Sequence, residues 1–256
     1  MRDLKVTLIQ CALAWENPAD NRRQIGNMIE QLDGHTDLIV LPEMFTTGFS
    51  MNALANAEEP GGPTQQRLSD LASHLDCAVT GSIAVRDGAG VYNRMLFATP
   101  DGVQYYDKRH LFRMAGEDQR YLCGKDRVIV KWRDWRINLQ VCYDLRFPVF
   151  SRNRDDYDLL LYVANWPARR RLHWRQLLVA RAIENLACVV GVNRIGEDAK
   201  GLSYSGDSLA IAADGQLLLD AQNENGAALV TLDGAALKQY REEFPCQLDS
   251  DSFQLD

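Results

Sequence analysis

The chain reads as an α/β protein built in layers, and three observations predict this. Apolar runs of strand length alternate with segments whose apolar residues recur at helical spacing. No Pro/Gly/Ser-rich linker divides its 256 residues. The residues able to do chemistry fall where apolar runs end, which is where open α/β folds gather their sites. With 46% apolar and 25% charged residues, the composition is that of a soluble globular protein able to bury a full core.

A first strand is expected over 5–10. The helix around 18–32 places Ile25, Met28, Ile29 and Leu32 on one face. Asp37-Leu38-Ile39-Val40-Leu41 is an apolar strand whose end presents Glu43, and a second amphipathic helix around 64–75 carries Leu68, Leu71, Ala72 and Leu75. Strands at 78–83 and 93–98 follow, and Pro100-Asp101-Gly102 turns the latter into a hairpin whose second arm delivers Lys108. Segments 127–132 and 135–141 pair across Arg133-Asp134, and the second ends at Cys142. The apolar run 159–163 ends at Asn165-Trp166-Pro167, and a helix around 171–185 then places Trp174, Leu177, Leu178, Arg181, Ala182 and Asn185 on one face. A strand at 187–192 and a last hairpin turning at Asp214-Gly215 complete the pattern. The acidic, irregular stretch 244–256 reads as a segment lying on the surface or on a neighbouring subunit.

A formal charge of −7 argues against nucleic acid or an anionic membrane as a partner. The local basic group Arg169, Arg170, Arg171 and Arg175 fits either an anion site or a solvated helix start. The N-terminal segment has no apolar stretch of signal or membrane-spanning length, so a cytoplasmic location is expected. The six cysteines, at positions 11, 77, 123, 142, 188 and 246, form no CxxC, and the histidines make no HExxH. Neither a disulfide framework nor a metal site is indicated, and no P-loop, GxGxxG or GxSxG points to a cofactor or another nucleophile.

Cys142 ends an apolar run and opens a polar turn, the place where a strand-to-helix junction exposes a nucleophile beside free N–H groups. Taken alone, it fits a buried core cysteine better, as Glu43 alone better fits a helix cap and Lys108 a hairpin lysine. Together they change the reading. A thiol is mostly protonated at neutral pH, so it needs a base and a cation nearby. Glu43 supplies the base, and Lys108 with the N–H of Tyr143 can stabilise the oxyanion formed on attack at a carboxamide.

The motifs LPEMF, YDKRHLF and VCYDLRFP, carrying Glu43, Lys108 and Cys142 in this order, resemble the nitrilase superfamily of carbon–nitrogen hydrolases. The likeness runs from the opening strand to the Asp214-Gly215 turn. The longer stretches LPEMFTTGFSM, DKRHLFRMAGE, CYDLRFPVFSRN and YVANWP look like the bacterial ω-amidase branch, which removes the distal amide of 2-oxo dicarboxylic acid monoamides. The resemblance implies a four-layer α-β-β-α sandwich, one catalytic domain over 1–256, no cofactor, a small-molecule amide substrate and a homodimer. It places the pairing face near Val149-Phe150 and the helix around 171–185. It also implies a thioester on Cys142, and a role for Glu117 in orienting the lysine or the substrate, where the residues alone fit a surface loop as well. Arg146 fits a carboxylate clamp or an ion pair with Asp144. Asn165, Trp166, Phe45 and Phe112 are expected to line the substrate pocket. Rival readings are another branch of the superfamily, acting on carbamoyl amides or deaminated glutathione, and a catalytically silent binding protein on the same fold.

Overall fold

In a computed structural model describing residues 1–254, the first half of the chain forms one sheet and the second half another. The first half runs β1 (Leu4–Gln10), α1 (Pro18–Glu30), β2 (Leu38–Val40), α2 (Ala53–Asn56), α3 (Pro63–Leu75), β3 (Ala78–Asp87), β4 (Gly90–Thr99) and β5 (Gly102–Asp107). The second half runs β6 (Ile129–Trp132), β7 (Trp135–Val141), α4 (Pro148–Ser151), β8 (Leu159–Ala164), α5 (Arg171–Asn185), β9 (Cys188–Asn193), β10 (Ile195–Glu197), β11 (Ser203–Ser205), β12 (Leu209–Ile211), β13 (Leu217–Asp220), β14 (Gly226–Leu232) and α6 (Gly234–Glu243). Strand order is β14-β1-β2-β3-β4-β5 in one sheet and β13-β12-β9-β8-β7-β6 in the other, while β10 and β11 form a separate hairpin. Thus β14 crosses back to close the edge of the first sheet.

Alternation along the strands decides the layers. Val6 and Leu8 of β1, Leu38 and Val40 of β2, and Met95 and Phe97 of β4 pack against Ile137, Leu139, Leu161, Val163, Val190 and Val192 of the facing sheet. The opposite face of the first sheet presents Ile9, Ile39 and Val79 to Ile25 and Ile29 of α1 and to Leu68, Leu71 and Ala72 of α3. On the second sheet, Leu160, Tyr162 and Val189 meet Trp174, Leu178 and Ala182 of α5. The result is the α-β-β-α sandwich expected from the motifs. Trp132 Nε1 donates to Asp37 O (2.7 Å) and Trp135 Nε1 to Arg2 O (2.8 Å), tying the sheets together at the end where β1, β2 and β7 begin.

One element was not anticipated and one expectation is corrected. Helix α6 forms before the expected irregular stretch, capped by Asp233, whose side chain accepts from Ala236 N at 2.8 Å, and within that stretch Cys246–Asp249 makes a 3-10 turn. Phe150 is buried in the inter-sheet core, so of the expected pairing segment Val149 alone is exposed, at 55%. The expectation for 244–256 extends to Leu255 and Asp256, which lie outside the described residues. Among the described residues no helix is long and apolar enough to cross a membrane.

Candidate active site

Strands β1, β2 and β3 are parallel, as are β7, β8 and β9, so their C-terminal ends collect on one edge. β5 returns in the same direction as β3, because each is antiparallel to β4. Glu43 follows β2, Lys108 follows β5, Cys142 follows β7 and Asn165 follows β8. Residues up to 122 positions apart in sequence thereby reach hydrogen-bonding range.

Each of these strand ends is held by local devices. Cys142 has φ +48° and opens a 3-10 turn, Cys142–Arg146. For a residue with a Cβ this conformation costs about 1–3 kcal/mol and needs outside support. Asp144 provides it. Its Oδ2 accepts from Val141 N (2.9 Å) and Tyr106 OH (2.8 Å), and its Oδ1 from the backbone N of His110 (2.9 Å), with His110 Nδ1 at 2.7 Å. One carboxylate thus braces the cysteine turn against the lysine-bearing segment. After Glu43 the chain turns sharply at Met44 (φ +46°), whose N–H donates to Ser82 Oγ at 2.9 Å. Beside Lys108, Gly124 donates to Lys108 O at 2.9 Å, and a Cβ there would lie 2.0 Å from Asp107 O. Only glycine permits that approach.

At the floor, Lys108 Nζ lies 2.9 Å from Glu43 Oε1 and 3.0 Å from each oxygen of Glu117. All three side chains are fully buried. Asn93 Nδ2 donates to Glu43 Oε1 (2.8 Å) and Glu117 Oε1 (3.3 Å), and Asn165 N donates to Glu43 Oε2 at 2.7 Å. Burial alone would depress the Lys108 ammonium, but Glu117 and Glu43 outweigh it and hold its pKa above the ordinary value. Burial raises the Glu117 carboxyl, against the pull of Lys108. The Cys142 thiol is pushed well above its ordinary value by burial and then by Glu43, to which it hydrogen-bonds, with Lys108 acting in the opposite sense. Burial thus favours the protonated thiol, beside the Glu43 side chain.

Cys142 and Glu43 open onto a cavity of about 150 Å³. Phe49, Met51, Phe112 and Trp166 give it apolar walls, and Arg146, Arg169, Arg170 and Lys200 supply cations toward the mouth. Tyr143 also lines it, with its ring edge against Phe112 at 5.0 Å. The Arg146 guanidinium lies 4.8 Å from the Trp166 ring centre, with Nη2 3.0 Å from His173 Nδ1. Arg170 sits 5.2 Å from the Phe112 ring, and burial, then Arg169 and Arg146, hold its pKa below the ordinary guanidinium value.

Most residues expected at the site converge there, with exceptions. Phe45 does not line the cavity: it is 2% exposed and packs in the outer layer against Gly81, where an added Cβ would lie 2.9 Å from its ring. The left-handed Met44 turns it away. Asn165 borders the cavity, but its Nδ2 donates to Glu43 O at 2.6 Å, so it holds the carboxylate segment. The Asp144 oxygens are taken up by the brace, which leaves Arg146 to the cavity wall. Arg171 and Arg175 bind Asp207, at 2.7 and 2.9 Å, so the basic cluster divides and only Arg169 and Arg170 reach the cavity. Sequence reasoning missed Asn93 and the bracing role of Asp144; an amide placed between an apolar strand's residues was the available signal for the first.

Known proteins resemble this chain in sequence and in fold. The chain is 49% identical over 257 aligned positions to the ω-amidase YafV of Yersinia enterocolitica, covering all of both chains. It is 32% identical to a 2-oxoglutaramate amidase of Bacillus subtilis, covering 94% of this chain and 95% of that one. A crystal structure from Xanthomonas campestris, of a CN-hydrolase superfamily protein with an arsenic adduct in its active site, superposes with a TM-score of 0.98 at 49% identity over the whole of both chains. The carbon-nitrogen hydrolase family model matches residues 5–242, a span that holds both sheets, the cysteine turn and every floor residue, and the chain belongs to that family.

Proposed function

We propose that the protein is an ω-amidase, hydrolysing the distal amide of 2-oxoglutaramate or 2-oxosuccinamate to the dicarboxylic acid and ammonia. The observation that carries this is the placing of a buried acid–base–thiol floor and a rim of guanidinium groups on the same small cavity. The floor suits amide hydrolysis, and the rim suits a substrate with a carboxylate at its far end. The names of the full-length relatives support the same substrate class.

Glu43 takes the Cys142 proton as sulfur attacks the amide carbon, so no free thiolate is needed beforehand. The negative charge moving to oxygen is stabilised by the Lys108 charge and the Tyr143 N–H, which lies at the start of a helical turn where backbone donors lack intrahelical acceptors. Collapse breaks the C–N bond, and protonated Glu43 returns its proton to nitrogen as ammonia leaves. A thioester remains on Cys142. Glu43 then deprotonates a water that attacks it, releasing the acid and restoring the thiol. Glu117 fixes the Lys108 ammonium throughout. We also assign the chain to one catalytic domain in the cytoplasm that works as a homodimer, with exposed Val149 and Leu172 on the pairing face.

Ammonia release across 2-oxo acid amides, amino acid amides, carbamoyl compounds, deaminated glutathione and nitriles tests the reading. Highest kcat/KM is expected for the 2-oxo dicarboxylic monoamides. A preference for neutral amides or carbamoyl compounds would assign the chain to another branch of the family, and no turnover of any would favour a silent binding protein.

A further inference from the structure

We propose that Asn93 is a positioning residue for the reaction: its side-chain amide holds Glu43 as a proton acceptor and keeps it apart from Glu117. The inference rests on the reading of Glu43 as the general base. Asn93 lies on β4, fully buried, and a buried amide is costly unless its polar atoms are used. Its Nδ2 meets both Oε1 atoms, at 2.8 and 3.3 Å, which are the atoms that also accept from Lys108. Its backbone oxygen accepts from Lys108 N at 3.0 Å. One residue therefore touches both carboxylates and the backbone of the lysine between them.

Charge fixes the orientation of this amide. Reversed, its oxygen would face two carboxylates. As placed, Oδ1 is buried without a hydrogen-bond partner among the described residues, so the bonds to the carboxylates have been favoured over a balanced use of the side chain. Two carboxylates share a single ammonium here, and a donor placed on both favours their ionised forms over protonation of either. The charged and titratable groups facing Glu43 are Lys108, Glu117 and Cys142, with Tyr121 and Tyr204 further out. None changes when Asn93 is replaced.

The test is the pH profile of kcat and kcat/KM for 2-oxoglutaramate in Asn93→Leu and Asn93→Asp, with Glu43→Gln in parallel. Asn93→Leu removes both donors. It should lower kcat at neutral pH on the order of tenfold to a hundredfold and move the acid limb of kcat/KM to higher pH. KM should stay within about twofold, because Asn93 does not line the cavity. Asn93→Asp keeps an O–H donor only while protonated, so its activity relative to the parent should rise as pH falls. A uniform loss at every pH in both variants, or a raised KM with kcat intact, would overturn the proposal. If Asn93→Leu fails to fold, Asn93→Ser, which keeps one donor, takes its place and should give a smaller shift in the same direction; an unmoved limb again overturns it. Near-parental kcat in Glu43→Gln would instead remove the general base itself.

Discussion

The floor of the cavity and its rim are built in opposite ways. On the floor, Glu43, Lys108 and Glu117 are sealed from solvent and each is held by several short hydrogen bonds. At the rim, Arg169 and Lys200 are exposed, and Arg146 and Arg170 are half-buried, resting on aromatic faces with no carboxylate partner among the described residues. Replacing a buried ion cluster by apolar packing is often neutral or stabilising, so the floor is better explained by what it does than by what it contributes to stability. The rim's unpaired cations are costly to crowd together and are relieved by an anion. Under the proposed function, chemistry and substrate choice are carried by separate parts of one cavity.

If that division is right, floor variants lose rate on every amide. Cys142→Ala should abolish ammonia release, while the other five cysteines remain dispensable; a rate within tenfold of the parent would remove the nucleophile assignment. Glu43→Gln and Lys108→Met come next, each lowering kcat by about two to four orders of magnitude with the fold intact. Mass spectrometry of Glu43→Gln with substrate should reveal an acyl adduct on Cys142 where water activation fails more severely than thiol attack.

Rim variants should be smaller in effect and selective. Arg146→Gln is expected to cost about 2–5 kcal/mol in kcat/KM for a 2-oxo acid amide and almost nothing for a neutral one. Equal loss on both would make Arg146 structural and turn attention to Arg169 and Arg170; Arg171 is committed to Asp207. Exposure of the rim also makes the preference for anionic substrates fall with added salt, measurable in the same assay.

The smallest effect on activity should come from a site remote from both. Burial would raise the Asp158 carboxyl, but hydrogen bonds from Arg136, then the charge of Arg136 and a bond from Arg241, hold it below the usual carboxylate range. A depressed acid contributes stability that is present above the unfolded pKa of about 3.9 and lost as pH falls through the folded value. Asp158→Asn should therefore lower Tm at neutral pH by roughly 2–4 °C per kcal/mol lost, with the gap to the parent closing in acid and kcat unchanged. Thermal melts across pH check this.

The strands and the convergence of Glu43, Lys108 and Cys142 were legible because apolar runs ending in Glu43 and Cys142, and a hairpin arm ending in Lys108, are local patterns. Phe45 was misassigned because strand alternation says nothing of a left-handed residue at Met44. Helix α6 was passed over since only Gly234 and Leu237 of its residues are buried, too few to mark an apolar face. Asn93 and Asp144 act across 50 and 38 positions respectively, and no local pattern encodes such distances. The split of the basic cluster depends likewise on where Asp207 folds.

The most direct test of the division is the ratio of kcat/KM for 2-oxoglutaramate to that for an uncharged amide of equal length, in the parent, Lys108→Met and Arg146→Gln. The account predicts that Lys108→Met lowers both values and leaves their ratio near the parental one, while Arg146→Gln lowers the ratio by an order of magnitude or more. A ratio that collapses in Lys108→Met, or stays parental in Arg146→Gln, would contradict it.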